Sequence, residues 1–264
     1  MSDLTSKPEA QTRVNRRWLL GAFATTSLLG ACAVAPPPLV QATAVGRPPA
    51  AGVDPIYWSM YDAVQDGPYL VEPVDLSQIN PRFLRREVAY AGREAPGSIV
   101  VDVDQRYLFY VLPGGRAMRY GVGVGREEAF NFKGMAIIQR KAEWPRWIPT
   151  PDMIKRDPER YEPYKDGLDG GPENPLGARA LYLYRNGRDT YYRLHGTNEP
   201  NSIGTMVSSG CVRLLNQDII DLYNRVAVGT TVDVRSGRGA GAQVASARPR
   251  SGAQTVEVIE DVVE

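Results

Sequence analysis

Sulfur and imidazole are scarce in this sequence. Its 264 residues hold two cysteines, Cys32 and Cys211, and one histidine, His195. A structural zinc site takes about four thiolate, imidazole or carboxylate ligands, so a zinc finger or ribbon is excluded and no metal is expected. Net charge is also lacking: the formal value is +1, which gives no electrostatic reason to expect a nucleic-acid partner. No 18-residue apolar run occurs beyond the N-terminal region, so no internal membrane span is expected. Phenylalanine (5) is outnumbered by tyrosine (14), and Gly (26) and Pro (21) are abundant. That mixture predicts strands joined by turns, with few long helices. The hydrophobic fraction, 43%, suffices for a core.

The first residues carry an address. Arg16-Arg17 precedes Trp18-Leu19-Leu20 and a small, apolar run ending at Gly30. A basic start followed by a short apolar stretch reads as an export signal, here of twin-arginine type with Asn15 where Ser or Thr is usual. Leu29-Gly30-Ala31-Cys32 then resembles a bacterial lipobox, in which the cysteine becomes the lipidated first residue. The alternative is ordinary cleavage at Ala33-Val34-Ala35. Residues 1–31 are therefore read as signal, and the mature chain as periplasmic, lipid-anchored through Cys32 and touching membrane only there. A lipidated or removed Cys32 leaves Cys211 without a disulfide partner, an odd thiol in an exported protein.

Residues 32–53 form a Pro/Ala linker, and 54–96 an extension packing on the core, with a short helical piece near 77–86. Strand signals start at Ser98–Asp104 and Tyr107–Leu112, continue through Ala117–Val124 and Met135–Glu143, and end at Thr231–Arg235. Arg179–Tyr184 and Asp189–His195 flank Asn186-Gly187, a strong hairpin signal. Ile219, Ile220, Leu222, Tyr223 and Val226 recur at helical spacing after Asn216, the expected cap; Gly229 lies at the far end. The long Pro-rich stretch 144–178 interrupts the strands and reads as an ordered, lid-like insertion. Residues 236–264 read as a mobile tail. The expected fold is mainly β: a sandwich of mixed sheets, one helix after Cys211, and a catalytic domain over 97–235.

A thiol attacks as thiolate, and a nearby imidazole can take its proton. His195 is expected at a strand end. Ser208-Ser209-Gly210-Cys211 is a turn before the helix whose N–H groups can converge on one oxyanion. Gly210 keeps the approach to sulfur open. Arg213 is either a solvated charge or a guanidinium fork for a substrate carboxylate. Ser208, Trp144 and Trp147 are further candidate substrate contacts, although the tryptophans also suit packing of the insertion. Gly121–Gly125 lacks the lysine and following helix of a nucleotide loop, so no cofactor is expected.

His195-Gly196-Thr197 and Ser208-Ser209-Gly210-Cys211-Val212-Arg213, at this spacing, resemble the active-site motif of the YkuD-type L,D-transpeptidases, ErfK/YbiS/YcfS/YnhG branch. The stretches PGSIVVDVD, RYGVGVG, EWPRWIPTPDM, NPLGARALYLY and HGTNEPNSIG extend the likeness over residues ~75–235. Many members have histidine where this chain has Ser209; that position supplies mainly a backbone N–H. The resemblance implies a YkuD β-sandwich and a peptidoglycan tetrapeptide stem as donor. Cys211 would attack the meso-diaminopimelate–D-Ala bond, His195 would carry the proton, and the Gly196 carbonyl would orient the imidazole. Ser209, Gly210 and Cys211 would form the oxyanion hole and Arg213 would bind a stem carboxylate. The acceptor stays open: a second stem gives a 3→3 cross-link, a protein amine anchors a protein, such as an outer-membrane one, to the wall, and water makes an L,D-carboxypeptidase. A non-catalytic wall-binding lipoprotein is the remaining alternative.

Overall fold

The computed structural model describes residues 54–127, 131–208 and 210–236, all within one compact unit. The signal, the linker with Cys32, and the tail beyond 236 lie outside the described residues, as does Ser209. The strands in chain order are β1 (Val64–Asp66), β2 (Tyr69–Val71), β3 (Arg86–Ala89), β4 (Ile99–Asp102), β5 (Tyr107–Leu112), β6 (Arg116–Gly121) and β7 (Val124–Gly125). They continue with β8 (Gly134–Glu143), β9 (Arg179–Arg185), β10 (Arg188–His195), β11 (Met206–Ser208), β12 (Val212–Arg213) and β13 (Thr231–Arg235). Four short helices are α1 (Ile56–Met60), α2 (Pro151–Arg156), α3 (Pro158–Tyr161) and α4 (Asn216–Arg225).

The protein is mainly β with mixed sheets, as the sequence predicts. Nine strands form one sheet in the order β12-β10-β9-β8-β13-β4-β5-β6-β3. The β12–β10 and β13–β4 pairs are parallel, and the other neighbours are antiparallel. A small parallel pair, β11–β7, lies beside it. The large sheet folds back on itself. Gly123, just past β6, exchanges two backbone hydrogen bonds with Arg213 of β12, at 2.9 and 2.8 Å. That seam encloses a core of Ile99, Val101, Leu108, Tyr120, Ile138, Leu181, Leu183, Leu194 and Val212.

Local chemistry explains most boundaries. Asn186 and Gly187 both have positive φ, 51° and 74°, the backbone a two-residue hairpin turn needs between β9 and β10. α4 buries Ile219 and Leu222 against this core. Lys141 Nζ donates to the Tyr223 and Val226 carbonyls, both at 2.7 Å, and so satisfies the helix end. Two local expectations are corrected. Near 77–86 there is only a single 3-10 turn, Pro81–Phe83, followed by extended chain at Leu84, because Asn80 and Pro81 start a turn with no apolar helical face to continue it. Asn216 does not cap α4: its side chain reaches across to two other backbone groups, described below.

Within the 54–96 stretch, residues before β3 pack on the opposite face of the sheet, and β3 itself joins its edge. Tyr61, Leu76, Phe83 and Leu84 join Val100, Phe109 and Ala117 in a second buried cluster. Asp66 of β1 holds Arg179 of β9 through a bidentate pair, at 2.6 and 2.7 Å, and also accepts the Trp144 indole N–H at 2.8 Å. The 144–178 stretch is ordered by Asn174, almost wholly buried. Its amide donates to the carbonyls of Pro145, Leu168 and Asp169 at 3.0–3.1 Å. Thr150 and Asp157 cap α2 and α3 through Met153 and Arg160 N–H groups.

Candidate active site

The site grows from the parallel register of β10 and β12. Leu194 pairs with Val212 and His195 with Arg213. Leu194 and Val212 face the core, so the alternation of a strand sends His195 and Arg213 to the other face, with Cys211 in the bend just before β12. Cys211 lies two positions before Arg213, a diagonal neighbour of His195.

His195 is buried, and Nδ1 lies 2.6 Å from the Gly196 carbonyl. The Nδ1–H donor leaves Nε2 as the basic nitrogen. Burial and the charges of Arg213 and Arg193 outweigh the Gly196 and Leu176 carbonyls, pushing the imidazole pKa down to about 3. The ring is neutral at physiological pH. Gly196 is required by packing, since a Cβ there would come within 2.2 Å of Asn216 Oδ1. That oxygen accepts from Ala178 N–H at 3.0 Å and Thr197 N–H at 3.3 Å, pinning the loop on which the histidine ends.

Cys211 is a free, partly exposed thiol. Sγ lies 3.8 Å from the Tyr191 carbonyl, close enough for a weak S–H donation. Tyr191 has φ +62° and sits in the β-bulge between Asp189 and Arg193, an arrangement that turns its carbonyl toward the sulfur. Burial pushes the thiol pKa up, against the Arg193 backbone and the Arg193 and Arg213 charges. The resting pair is thus neutral thiol and neutral imidazole. A preformed thiolate–imidazolium pair, the state that would give fast alkylation at neutrality, is not favoured.

Ser208 is buried, and its Oγ donates to the Cys211 carbonyl at 2.7 Å and accepts from Gly210 N–H at 3.1 Å. Its side chain is engaged within the turn. Gly210 has φ +127°, a backbone conformation suited to glycine. The Arg213 guanidinium bonds Glu199 at 2.5 Å and lines a cleft of about 380 Å³ with Arg126, Arg160, Glu199, Met206 and Val207. Trp144 and Trp147 do not line it: Trp144 lies against Tyr69 and donates to Asp66, while Trp147 packs near Tyr161 and Tyr164. Sequence reasoning took Asn216 for a helix cap and passed over Asp66, Glu199 and Tyr191. Only Glu199 left a signal, a carboxylate in the quoted HGTNEP run.

Residues 96–234 match the YkuD L,D-transpeptidase catalytic domain, and the chain belongs to that family. The Escherichia coli (strain K12) protein named probable L,D-transpeptidase ErfK/SrfK is 38% identical over 52% of this chain and 43% of its own length. Probable L,D-transpeptidase YbiS of the same strain is 36% identical over 51% and 43%. The chain thus spans less than half the length of these relatives. A solved chain from Brucella melitensis, described as a probable carnitine operon oxidoreductase, is 49% identical over 58% of this chain and 93% of its own. Its TM-score of 0.41 is too low to carry an argument about either fold or activity.

Proposed function

We propose that this chain is a peptidoglycan L,D-transpeptidase with Cys211 as nucleophile. The single observation that carries the reading is the β10–β12 register, which turns His195 and Arg213 to one face with Cys211 directly before β12, while Gly196 O fixes the imidazole. The donor is a tetrapeptide stem. As its diaminopimelate–D-Ala carbonyl approaches, Sγ bonds to carbon and the thiol proton passes to His195 Nε2. Because both groups rest neutral, proton transfer accompanies attack rather than preceding it. Backbone N–H groups of Ser209, Gly210 and Cys211 hold the oxyanion, a contribution of about 3 kcal/mol per donor. The Gly210 donor is shared with Ser208 Oγ. Collapse of the tetrahedral species breaks the C–N bond, and the imidazolium proton leaves with D-Ala. An acceptor amine then attacks the thioester, and its proton passes through His195 to the departing sulfur, restoring the thiol. Arg213 binds a stem carboxylate.

The setting is the bacterial periplasm, reached through the twin-arginine-like signal, with Cys32 as lipid anchor. Partners are peptidoglycan stems and a wall-anchored outer-membrane protein as one acceptor. No cofactor is required. The test incubates the protein with disaccharide-tetrapeptides and reads products by mass beside Cys211→Ala. Dimers joined 3→3 support transfer, and tripeptides alone assign hydrolysis. No change, with no carbapenem adduct on Cys211, leaves a wall-binding lipoprotein.

A further inference from the structure

Three arginines line the cleft that includes Arg213, whose charge acts on Cys211, and the anion among them is the chain's own. Glu199 Oε2 lies 2.5 Å from Arg213 Nη1, and Oε1 lies 3.8 Å from Arg160 Nη2. The two contacts differ in setting. Arg213's side chain is 14% exposed, so that pair is shielded from water on one side. Arg160 and Glu199 are each about half exposed, and their contact is of the screened surface kind. Arg126 completes the lining without an ion pair to Glu199.

Glu199's main chain is fixed. Its N–H donates to Thr197 Oγ1 at 3.0 Å, and its carbonyl accepts from Ser202 Oγ at 2.6 Å. Only the side chain needs to swing for the carboxylate to leave. The loop that bears it continues from His195-Gly196-Thr197, while Arg160 belongs to α3 of the 144–178 segment. One carboxylate therefore ties the histidine loop, the cysteine strand and the covering segment together.

We propose that Glu199 is a specificity-determining residue: a built-in carboxylate that occupies Arg213 and Arg160 and yields them to the carboxylate of an incoming peptide. The proposal rests on the acyl-transfer reading above. A free-acid peptide exchanges one charge-assisted bond for another and can make the bidentate contact that an arginine fork favours. A peptide with a carboxamide there cannot displace Glu199 at like strength. The internal carboxylate thus competes with an anionic ligand for the guanidiniums and damps their preference for it.

The test reads charge beside the thiol without turnover. Full-length protein is alkylated in mildly alkaline, low-salt buffer with anionic iodoacetate or neutral iodoacetamide, and modification is measured on the Cys211 peptide. Glu199→Gln and Glu199→Ala are expected to raise the iodoacetate-to-iodoacetamide rate ratio roughly three- to tenfold by freeing the guanidiniums. In an Arg213→Gln background the rise should disappear. An unchanged ratio, or the same rise without Arg213, overturns the proposal. In a second arm, Glu199→Gln should increase the kcat/KM preference for free-acid over amidated stems; an unaltered preference also overturns it. If neither stem turns over yet the alkylation ratio rises as stated, the carboxylate's role stands and the transpeptidase reading falls.

Discussion

At the scale of single residues the site is built from neutral groups. Burial raises the thiol of Cys211 and lowers the imidazole of His195 to about 3, so both shifts oppose an ion pair. Alkylation of Cys211 by iodoacetamide should therefore keep rising with pH beyond the ordinary thiol range, with no reactive plateau near neutrality. A neutral-pH plateau would show a stabilised thiolate instead. Gly196→Ala should lower kcat by roughly 10²-fold, because the added Cβ meets Asn216 Oδ1 and displaces the loop after His195 by a fraction of an ångström or more. Its KM should change less than its kcat. Much of this site was legible: the lone imidazole, the odd thiol, the Ser/Gly turn and the arginine are written within a short stretch. What was not legible is long-range. Asn216 reads locally as a helix cap, and nothing in its neighbourhood announces that it ties Ala178 and Thr197. Ser208 reads as a polar group near a nucleophile, and only the turn geometry shows both of its bonds turned inward.

At the scale of elements, the 144–178 segment has little apolar mass and depends on polar ties. Asn174 supplies three of them from one buried amide. Asn174→Ala leaves those carbonyls without their donor and should cost about 1–3 kcal/mol of stability. Limited proteolysis should then cut first between residues 144 and 178, with the sheet intact; protection equal to the parent would show that the tie is dispensable. Asp66 anchors the same region from β1. Its contact with Arg179, the largest influence, holds the carboxyl below its usual range despite partial burial. A depressed folded-state value means the contribution is present above the ordinary carboxylate pKa and is lost as pH falls through the depressed one. Asp66→Asn should therefore lower Tm at neutral pH and converge with the parent in acid. The β-branched run in SIVVDVD and the Asn-Gly turn foretold β4 and the β9–β10 hairpin, because both signals are local. The Asp66–Arg179 pair and the β7–β11 strand contact join distant segments, and no periodicity records them.

At the scale of the whole molecule, the extension and the sheet share a buried polar node. Asp218 is fully buried; Tyr61 OH donates to it at 3.2 Å, and Arg85 Nε lies 3.7 Å away. One carboxyl oxygen has no hydrogen-bond donor, and burial raises the pKa to about 7. A raised acid costs stability as pH climbs from the unfolded value, about 4, toward 7, where the native carboxyl must ionise. Asp218→Asn should therefore gain about 1–3 kcal/mol over the parent above pH 7 and little at pH 4, read from urea unfolding at the two pH values. Equal differences at both would assign the effect to packing. The seam between Gly123 and Arg213 has a further consequence for the order of assembly. Its two strands lie far apart along the chain, and joining them carries a loop-closure cost that nearby hairpins avoid. The guanidinium and sulfur therefore take up their working positions only when the last gap zips shut. A half-collapsed chain would not yet hold Cys211 and Arg213 beside the edge that Gly123 closes.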